Sequence, residues 1–95
     1  MLTRLAYFNT YYGFSYNTVR IKDTTSIWGS CSTHKNLNFS YKVLFLPERL
    51  RDYIIVHELC HLRHLNHSPA FWKCVAELLP NYETLRAELR RWRAD

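Results

Sequence analysis

The sequence predicts an α+β fold in which a small three-stranded, mostly antiparallel sheet packs on about four helices. Three observations predict this fold. Short segments rich in β-branched and aromatic residues occupy the first half, and a helical spacing of apolar residues follows from Pro47 onward. The 95 residues include 47% hydrophobic residues but only 2 Gly and 3 Pro, which is typical of a folded domain. We therefore expect a single domain over residues 1–95.

The chain is expected to begin with a helix and a strand. Residues 2–12 place Leu2, Leu5 and Phe8 at spacings that suit one amphipathic helix, and Gly13 follows as its terminator. The segment from Ser15 to Asp23 alternates apolar and polar residues. That alternation predicts a half-buried strand.

Two further strands are expected to form a hairpin. They are Ser26 to Ser32 and Asn36 to Ser40, and residues 33–35 between them suit a tight connection. Leu37 and Phe39 share one face of the third strand. The second strand has two readings that stay open: an exposed sheet edge that pairs with an extended peptide, or a strand whose Trp28 packs inward.

The second half predicts three helices. Pro47 opens the first, in which Leu50, Ile54, His57 and His61 form one stripe that faces the sheet. Ser68 to Leu79 forms the next helix, which Pro80 closes. Asn81 is expected to cap the last helix, and the apolar residues of that helix are Leu85, Leu89 and Trp92.

The segment His57-Glu58-Leu59-Cys60-His61 is the most informative motif in the chain. On a helix His57 and His61 lie one turn apart on the same face, so their imidazoles can bind one metal ion. Glu58 lies a step further round the helix, where its carboxylate can reach a water molecule on that metal without becoming a ligand. This pattern predicts a hydrolase with Zn²⁺ as its cofactor and Glu58 as the catalytic base.

A catalytic zinc ion usually has three protein ligands, and His67 is the candidate for the third. A helix that continued through residue 67 would carry this imidazole away from the metal, so the helix must end first. Asn66 tolerates the left-handed conformation that ends helices, Ser68 is a good N-cap, and Pro69 suits a first turn. We expect His67 in the corner between two helices, with its imidazole directed back at the metal.

Two neighbouring residues are expected to lie outside the ligand set. His64 is too far along the helix axis to join both other ligands, and we interpret it as a solvated histidine or one that supports a ligand. Cys60 is interpreted as a small buried residue, because water should take the open metal position. The cysteines are odd in number and lack a CxxC pair, which favours a reducing compartment. With no signal peptide and no long apolar run, we expect a cytoplasmic monomer without a membrane.

The formal charge is concentrated in the first half. Residues 1–46 contain five basic residues and one acid, a net charge of +4 out of the total of +5. This basic N-terminal half can attract an acidic peptide, a nucleotide or a nucleic acid. A second group of basic residues near the end is interpreted as a solvated helix terminus balanced by Glu83 and Glu88. It comprises Arg86, Arg90, Arg91 and Arg93.

Several motifs, in order and at suitable spacing, resemble the YgjP-like metallopeptidase domain family. They are Trp28-Gly29-Ser30-Cys31-Ser32, Asn36-Leu37-Asn38, His57-Glu58-Leu59-Cys60-His61, Asn66-His67-Ser68-Pro69-Ala70-Phe71-Trp72 and Pro80-Asn81-Tyr82. The resemblance covers roughly residues 15 to 92. It implies a minimal zincin-type α+β domain related to SprT-like and gluzincin-like peptidases, with three zinc ligands and one catalytic carboxylate. The implied ligands are His57, His61 and His67, and the carboxylate is Glu58.

The chain departs from the family pattern in two respects. Asn81 stands where the family has Asp, a mild change because both residues cap helices. Family members usually carry a larger N-terminal β region before this core, so any selectivity in that region does not transfer to this chain.

The expected function is that of a zinc-dependent metallohydrolase, most simply a metallopeptidase that acts on peptides or proteins. Two alternatives stay open: a metal-dependent hydrolase of nucleoside triphosphates, and a non-enzymatic zinc-stabilised module that binds nucleic acid. The sequence lacks a Gly-rich phosphate cradle, which speaks against the first. For oxyanion stabilisation Tyr82 is the first candidate and Tyr53 the second, although packing in the core is the favoured reading of both.

Overall fold

A computed structural model describes residues 1–23 and 27–92 of the chain. Their elements are, in order, α1 (Leu2–Tyr12), β1 (Thr18–Lys22), β2 (Gly29–Cys31), β3 (Asn36–Ser40), a 3₁₀ helix (Tyr41–Phe45), α2 (Glu48–His61), α3 (Pro69–Leu78) and α4 (Tyr82–Leu89). The predicted α+β fold is confirmed. The 3₁₀ helix was not expected, and both Ser26 of the second predicted strand and Arg93 lie outside the described residues.

The sheet is mixed, with strand order β1-β3-β2. The predicted hairpin is confirmed, since β2 and β3 pair antiparallel across a turn in which Lys35 adopts a left-handed conformation, φ 63°. The expectation that antiparallel pairing dominates is wrong for β1, which pairs with β3 in parallel. The reason is the strand order: β2 reverses the chain direction and then lies on the far side of β3, so β3 runs in the same direction as β1.

Helix α2 is the centre of the molecule and contacts α1, α3, α4 and β2. It is buried on more than the single stripe that the sequence predicts, because Ile55, Val56 and Leu59 are also buried. A helix that is apolar on most sides is typical of a core position. Leu37 and Phe39 of β3 are almost fully buried, as expected for the inner face of the sheet.

Two helix ends behave as the sequence predicts. Gly13 ends α1 in a left-handed conformation, φ 65°, and its backbone N–H donates to the carbonyl of Asn9. Ser68 caps α3 by accepting a hydrogen bond from the backbone N–H of Phe71 at 3.3 Å. No helix within residues 1–23 and 27–92 is long and apolar enough to cross a membrane.

The predicted cap at Asn66 is wrong, and the predicted cap at Asn81 is confirmed in position but lacks a side-chain hydrogen bond. Asn66 does not adopt the left-handed conformation, because α2 ends earlier, at His61, in a turn whose cap residue Leu62 keeps right-handed angles. Asn81 precedes α4 as expected, but its side chain accepts no capping hydrogen bond; its backbone carbonyl accepts from Thr84 and Leu85 instead. The corner after α2 still forms, and it carries His67 back toward the helix.

Candidate functional site

Three imidazole nitrogens converge at the C-terminal end of α2. His57 and His61 lie one turn apart on the helix, and His67 reaches them from the corner before α3. The Nε2 atoms of the three residues are 3.2 Å (His57 to His61), 3.0 Å (His61 to His67) and 3.2 Å (His57 to His67) apart. The structure therefore brings together the three histidines that the sequence singles out.

This triangle of nitrogens has the size of a metal site. Three nitrogens that bind one ion at about 2.0–2.1 Å with tetrahedral angles lie about 3.3–3.4 Å apart, close to the observed separations. Each histidine offers one ligand atom to a common centre, so the group can hold a metal ion. In a neutral imidazole the Nε2 atom is either a donor or an acceptor. Hydrogen bonds alone therefore cannot explain all three short contacts, because at least one contact would join two donors or two acceptors.

The orientation of His61 is fixed by its neighbours. Its Nδ1 lies 2.9 Å from the backbone carbonyl of His64, which can only accept, so Nδ1 carries the proton and Nε2 keeps its lone pair for the cluster. The ring of Phe71 stacks on His61 at 4.4 Å between centroids. His64 thus supports a ligand candidate through its main chain, and its side chain is not part of the metal group. Trp72 stacks on His67 in the same way, at 5.7 Å.

Burial keeps the imidazoles of His57 and His61 neutral. Loss of hydration, together with the adjacent His61 and His67, lowers the pKa of His57 to about 3. Burial also lowers the pKa of His61. Neutral imidazoles present free lone pairs at neutral pH, which metal coordination requires.

Glu58 lies beside the histidine cluster in an unusually dry position. Its side chain is 5% exposed, and burial raises its pKa to about 8. Its Oε1 atom is buried and has no hydrogen-bond partner among the described residues. An unpaired buried carboxyl oxygen costs about 1–3 kcal/mol, so this arrangement opposes stability and points to a role in chemistry.

Gly29 in β2 makes room for Glu58. A Cβ atom at this position would lie 3.2 Å from both Cγ and Oε2 of Glu58 and 3.0 Å from the backbone oxygen of Asn38. The absence of a side chain therefore lets the sheet approach α2 at the acidic residue. Gly29 belongs to one of the motifs that resemble the family, but only the structure shows which atoms lie next to this glycine.

A cleft of about 450 Å³ opens above Glu58 and is called the Glu58 cleft below. It is lined by Ile27, Trp28, Gly29, Tyr53, Ile54, His57, Glu58, Arg86, Leu89, Arg90 and Trp92. Trp28 therefore lies on a wall of the cleft, and β2 is an edge strand of the sheet. Both predicted properties of the second strand are therefore present: β2 is a sheet edge beside the histidine cluster, and Trp28 is half-buried against the core.

The sequence interpretation missed the position of two arginines. Arg86 and Arg90 are exposed, as expected, but they line the Glu58 cleft, whereas no basic residue of the N-terminal half does so among the described residues. Glu88 does not balance them, because it pairs with Arg49 of α2. Their spacing of four residues puts them on one face of α4, which was the available signal, but the direction of that face depends on tertiary packing.

The positions of Tyr53 and Tyr82 reverse their order as candidates for oxyanion stabilisation. Tyr53 lines the Glu58 cleft with its ring 5.7 Å from that of His57, and burial raises its pKa to about 12, so its hydroxyl stays protonated. Tyr82 stacks on Trp72 and lines a neighbouring cleft of about 320 Å³. The preference for Tyr82 as the oxyanion donor is therefore not supported by its position.

Two comparisons with known proteins find similarity to proteins described as metallopeptidases. Residues 1–92 match the family model described as "YgjP-like, metallopeptidase domain". A solved structure of the metallopeptidase zymogen abylysin from Pyrococcus abyssi is similar, with a TM-score of 0.80, 25% identity, and coverage of 92% of this chain and 89% of that one.

A curated relative matches a shorter part of the chain. The UTP pyrophosphatase of Escherichia coli (strain K12) is 37% identical over 46 residues, which is 48% of this chain and 28% of that protein. The matched segment is thus much less than two thirds of the relative. The family match, by contrast, covers nearly all of the present sequence and agrees with the histidine cluster and with the fold. The chain belongs to the YgjP-like metallopeptidase domain family.

Proposed function

We propose that this chain is a zinc-dependent hydrolase that cleaves peptide bonds, with His57, His61 and His67 as zinc ligands and Glu58 as the general base. One observation carries the proposal: three Nε2 atoms lie 3.0–3.2 Å apart next to a buried carboxyl group with an unpaired oxygen. Three neutral imidazoles that leave one coordination position open are typical of catalytic zinc. When bound, zinc supplies a Lewis acid that lowers the pKa of water and polarises a carbonyl group.

Glu58 holds and moves the proton in this reaction. Burial keeps the Glu58 carboxyl group protonated, and a cation held by the three histidines would favour its ionised form, in which it can act as a base. The carboxylate then accepts a proton from the attacking water and passes it to the leaving amine. Gly29 supports this step by letting the carboxyl group lie close to the sheet.

Tyr53 is the proposed donor to the oxyanion that forms on the attacked carbonyl. It lines the Glu58 cleft, and its raised pKa keeps the hydroxyl group protonated as a donor. A single such donor typically contributes about 100- to 1000-fold to turnover.

A peptide substrate is supported by the position of β2. This strand lies at the edge of the sheet, and Trp28 and Gly29 form part of the wall of the Glu58 cleft. An extended peptide can pair with such an edge through main-chain hydrogen bonds and so present a carbonyl to the site. The similar solved structure is described as a metallopeptidase zymogen, which agrees with this substrate class.

Hydrolysis of a nucleoside triphosphate is a second candidate because of two observations. The curated relative is a UTP pyrophosphatase, and Arg86 and Arg90 supply positive charge at the Glu58 cleft. Against it stands the composition: with only 2 Gly the chain has no Gly-rich loop to hold phosphates.

The test compares zinc-loaded protein with its Glu58→Gln variant on unfolded polypeptides and on a panel of nucleoside triphosphates. We expect peptide cleavage by the unmodified protein and loss of at least about 100-fold in the variant, with zinc retained. Cleavage of nucleotides alone would select the second candidate. Equal biological activity of both proteins, with no turnover of either substrate class, would favour a zinc-stabilised module that binds nucleic acid.

A further inference from the structure

We propose that Arg86 and Arg90 form an anion subsite in the Glu58 cleft that selects peptides with an aspartate or glutamate side chain beside the cleaved bond. The inference rests on the proposed peptidase function and names the class of substrate. Both residues belong to the end of the chain that the sequence interpretation assigned to a solvated helix terminus.

The two guanidinium groups are placed by the packing of α4. Leu85 is buried and fixes the helix on the core, and Arg86 and Arg90 follow on one side of α4, one turn apart. Both line the Glu58 cleft together with His57 and Glu58. They also line the adjoining cleft of about 320 Å³, so the pair lies between the two openings.

Arg86 is held in position by an aromatic stack. Its Cζ atom lies 4.9 Å from the centre of the Trp72 ring, which suits a cation–π contact. Trp72 in turn stacks on His67 at 5.7 Å and on Tyr82 at 5.0 Å. The guanidinium group is therefore fixed relative to a proposed zinc ligand, and less of its side-chain freedom is lost when it binds an anion.

Neither arginine is neutralised within the described part of the chain. Arg4 pairs with Asp52 and Arg49 pairs with Glu88, whereas no ion pair joins Arg86 or Arg90 to any carboxylate in residues 1–23 and 27–92. Glu83 lies on the wall of the adjoining cleft without pairing with either one.

Both arginines carry positive charge at the cleft that His57 and Glu58 also line. Guanidinium groups without an ion-pair partner attract a carboxylate, which they can bind with two parallel hydrogen bonds.

The surrounding walls favour a side chain over a phosphate chain. Ile54, Leu89 and Trp92 provide apolar surface next to the two arginines. The methylene groups of glutamate can pack on this surface while the carboxylate reaches the guanidinium groups. The edge strand β2 borders the same cleft, so a peptide paired with β2 has its side chains within reach of α4.

The test uses zinc-loaded protein and two fluorogenic peptides that differ only by Glu or Gln next to the cleaved bond. We expect kcat/KM to be about 10-fold higher for the Glu peptide, and expect Arg86→Gln or Arg90→Gln to reduce that preference severalfold through KM. The readout is the ratio of kcat/KM for the two peptides in each variant. Arg91→Gln is the matched control, because Arg91 lines a different cleft, with Arg49 and Glu88, and should keep the preference.

A binding measurement separates this inference from the proposed function. Zinc-loaded Glu58→Gln protein is titrated calorimetrically with both peptides, and the Glu peptide should bind about 10-fold more tightly unless an arginine is replaced. If Glu58→Gln binds the Glu peptide preferentially but the unmodified protein cleaves neither peptide, the subsite is supported and the peptidase is rejected. Cleavage of both peptides at equal efficiency would overturn the subsite.

Two further arms complete the design. Arg86→Lys keeps the charge without the planar fork, so it should give an intermediate preference, and urea unfolding of each variant confirms the native fold. UTP is added as a competitor. If it competes at least 10-fold more strongly than the Glu peptide and loses this advantage in Arg90→Gln, the peptide assignment is overturned and the two arginines bind phosphate instead.

Discussion

Replacement of Gly29 by alanine tests the contact between the sheet and the proposed catalytic residue. The added Cβ atom would lie 3.0 Å from the backbone oxygen of Asn38 and 3.2 Å from Cγ and Oε2 of Glu58. The oxygen of Asn38 belongs to the main chain of the central strand β3 and cannot easily move. We therefore expect the carboxyl group of Glu58 to be displaced, while the three histidines stay in place.

The size of the effect follows from packing. Overpacking of a buried site typically destabilises by about 1–3 kcal/mol, which corresponds to a fall of about 1–2 M in the urea midpoint of a domain this small. A displacement of a catalytic group by several tenths of an ångström reduces turnover by at least about 10-fold, and one of 1 Å by about 100-fold. Zinc affinity should stay within a factor of about two, because no proposed ligand is touched.

Gly13→Ala is the matched control, since Gly13 is the other glycine of the chain. Its φ of 65° makes alanine unfavourable by about 1–2 kcal/mol, yet a Cβ atom there would meet nothing within 4 Å. Urea unfolding, zinc content and peptide turnover are measured for both variants. Similar losses of stability with a loss of turnover only in Gly29→Ala support the reasoning; normal turnover in Gly29→Ala, or loss of its zinc, would refute it.

Two more predictions concern the metal group and the acid. His67→Ala should lose zinc as completely as His61→Ala. His64→Ala should retain zinc, because His64 supports the site through its main-chain carbonyl. Elemental analysis measures the zinc content, and normal zinc affinity in His67→Ala would show that His67 is not the third ligand. In chelator-treated protein, burial raises the pKa of Glu58 from 4.5 to about 8, so the folded state binds a proton that the unfolded state lacks between these values. The stability from this group is full below pH 4.5 and is lost as the pH rises through 8. The stability of Glu58→Gln relative to the unmodified chain should therefore increase by more than about 1 kcal/mol from pH 5 to pH 9 in urea titrations, and a constant difference would contradict the assignment.

The helical motif and its third histidine were predictable because their geometry is local. Two residues four apart on a helix share a face whatever surrounds them, and the distance to His67 requires a break that Ser68 and Pro69 help to form. The mechanism of the break was not predictable in detail. Several tight turns satisfy the end of α2, and the chain uses one in which Leu62 stays right-handed and Asn66 plays no part in the cap.

Features that depend on distant parts of the chain could not be derived from residue spacing. The alternation of apolar and polar residues in β1 predicts a strand but does not identify the strand with which β1 pairs. The parallel pairing with β3 followed only from the strand order. Likewise Arg86 and Arg90 look like any charged helix terminus until the packing of Leu85 directs their face toward the Glu58 cleft. The net charge of each half gave no hint of this position.

The zinc content of protein purified without added metal shows whether the three histidines hold an ion. If His57, His61 and His67 hold a catalytic ion, elemental analysis should find about one zinc per chain, and about as much in the Glu58→Gln variant. Glu58 lines the same cleft as His57 but is not proposed as a ligand. A correctly folded chain that contains no zinc and binds none on addition would contradict the account.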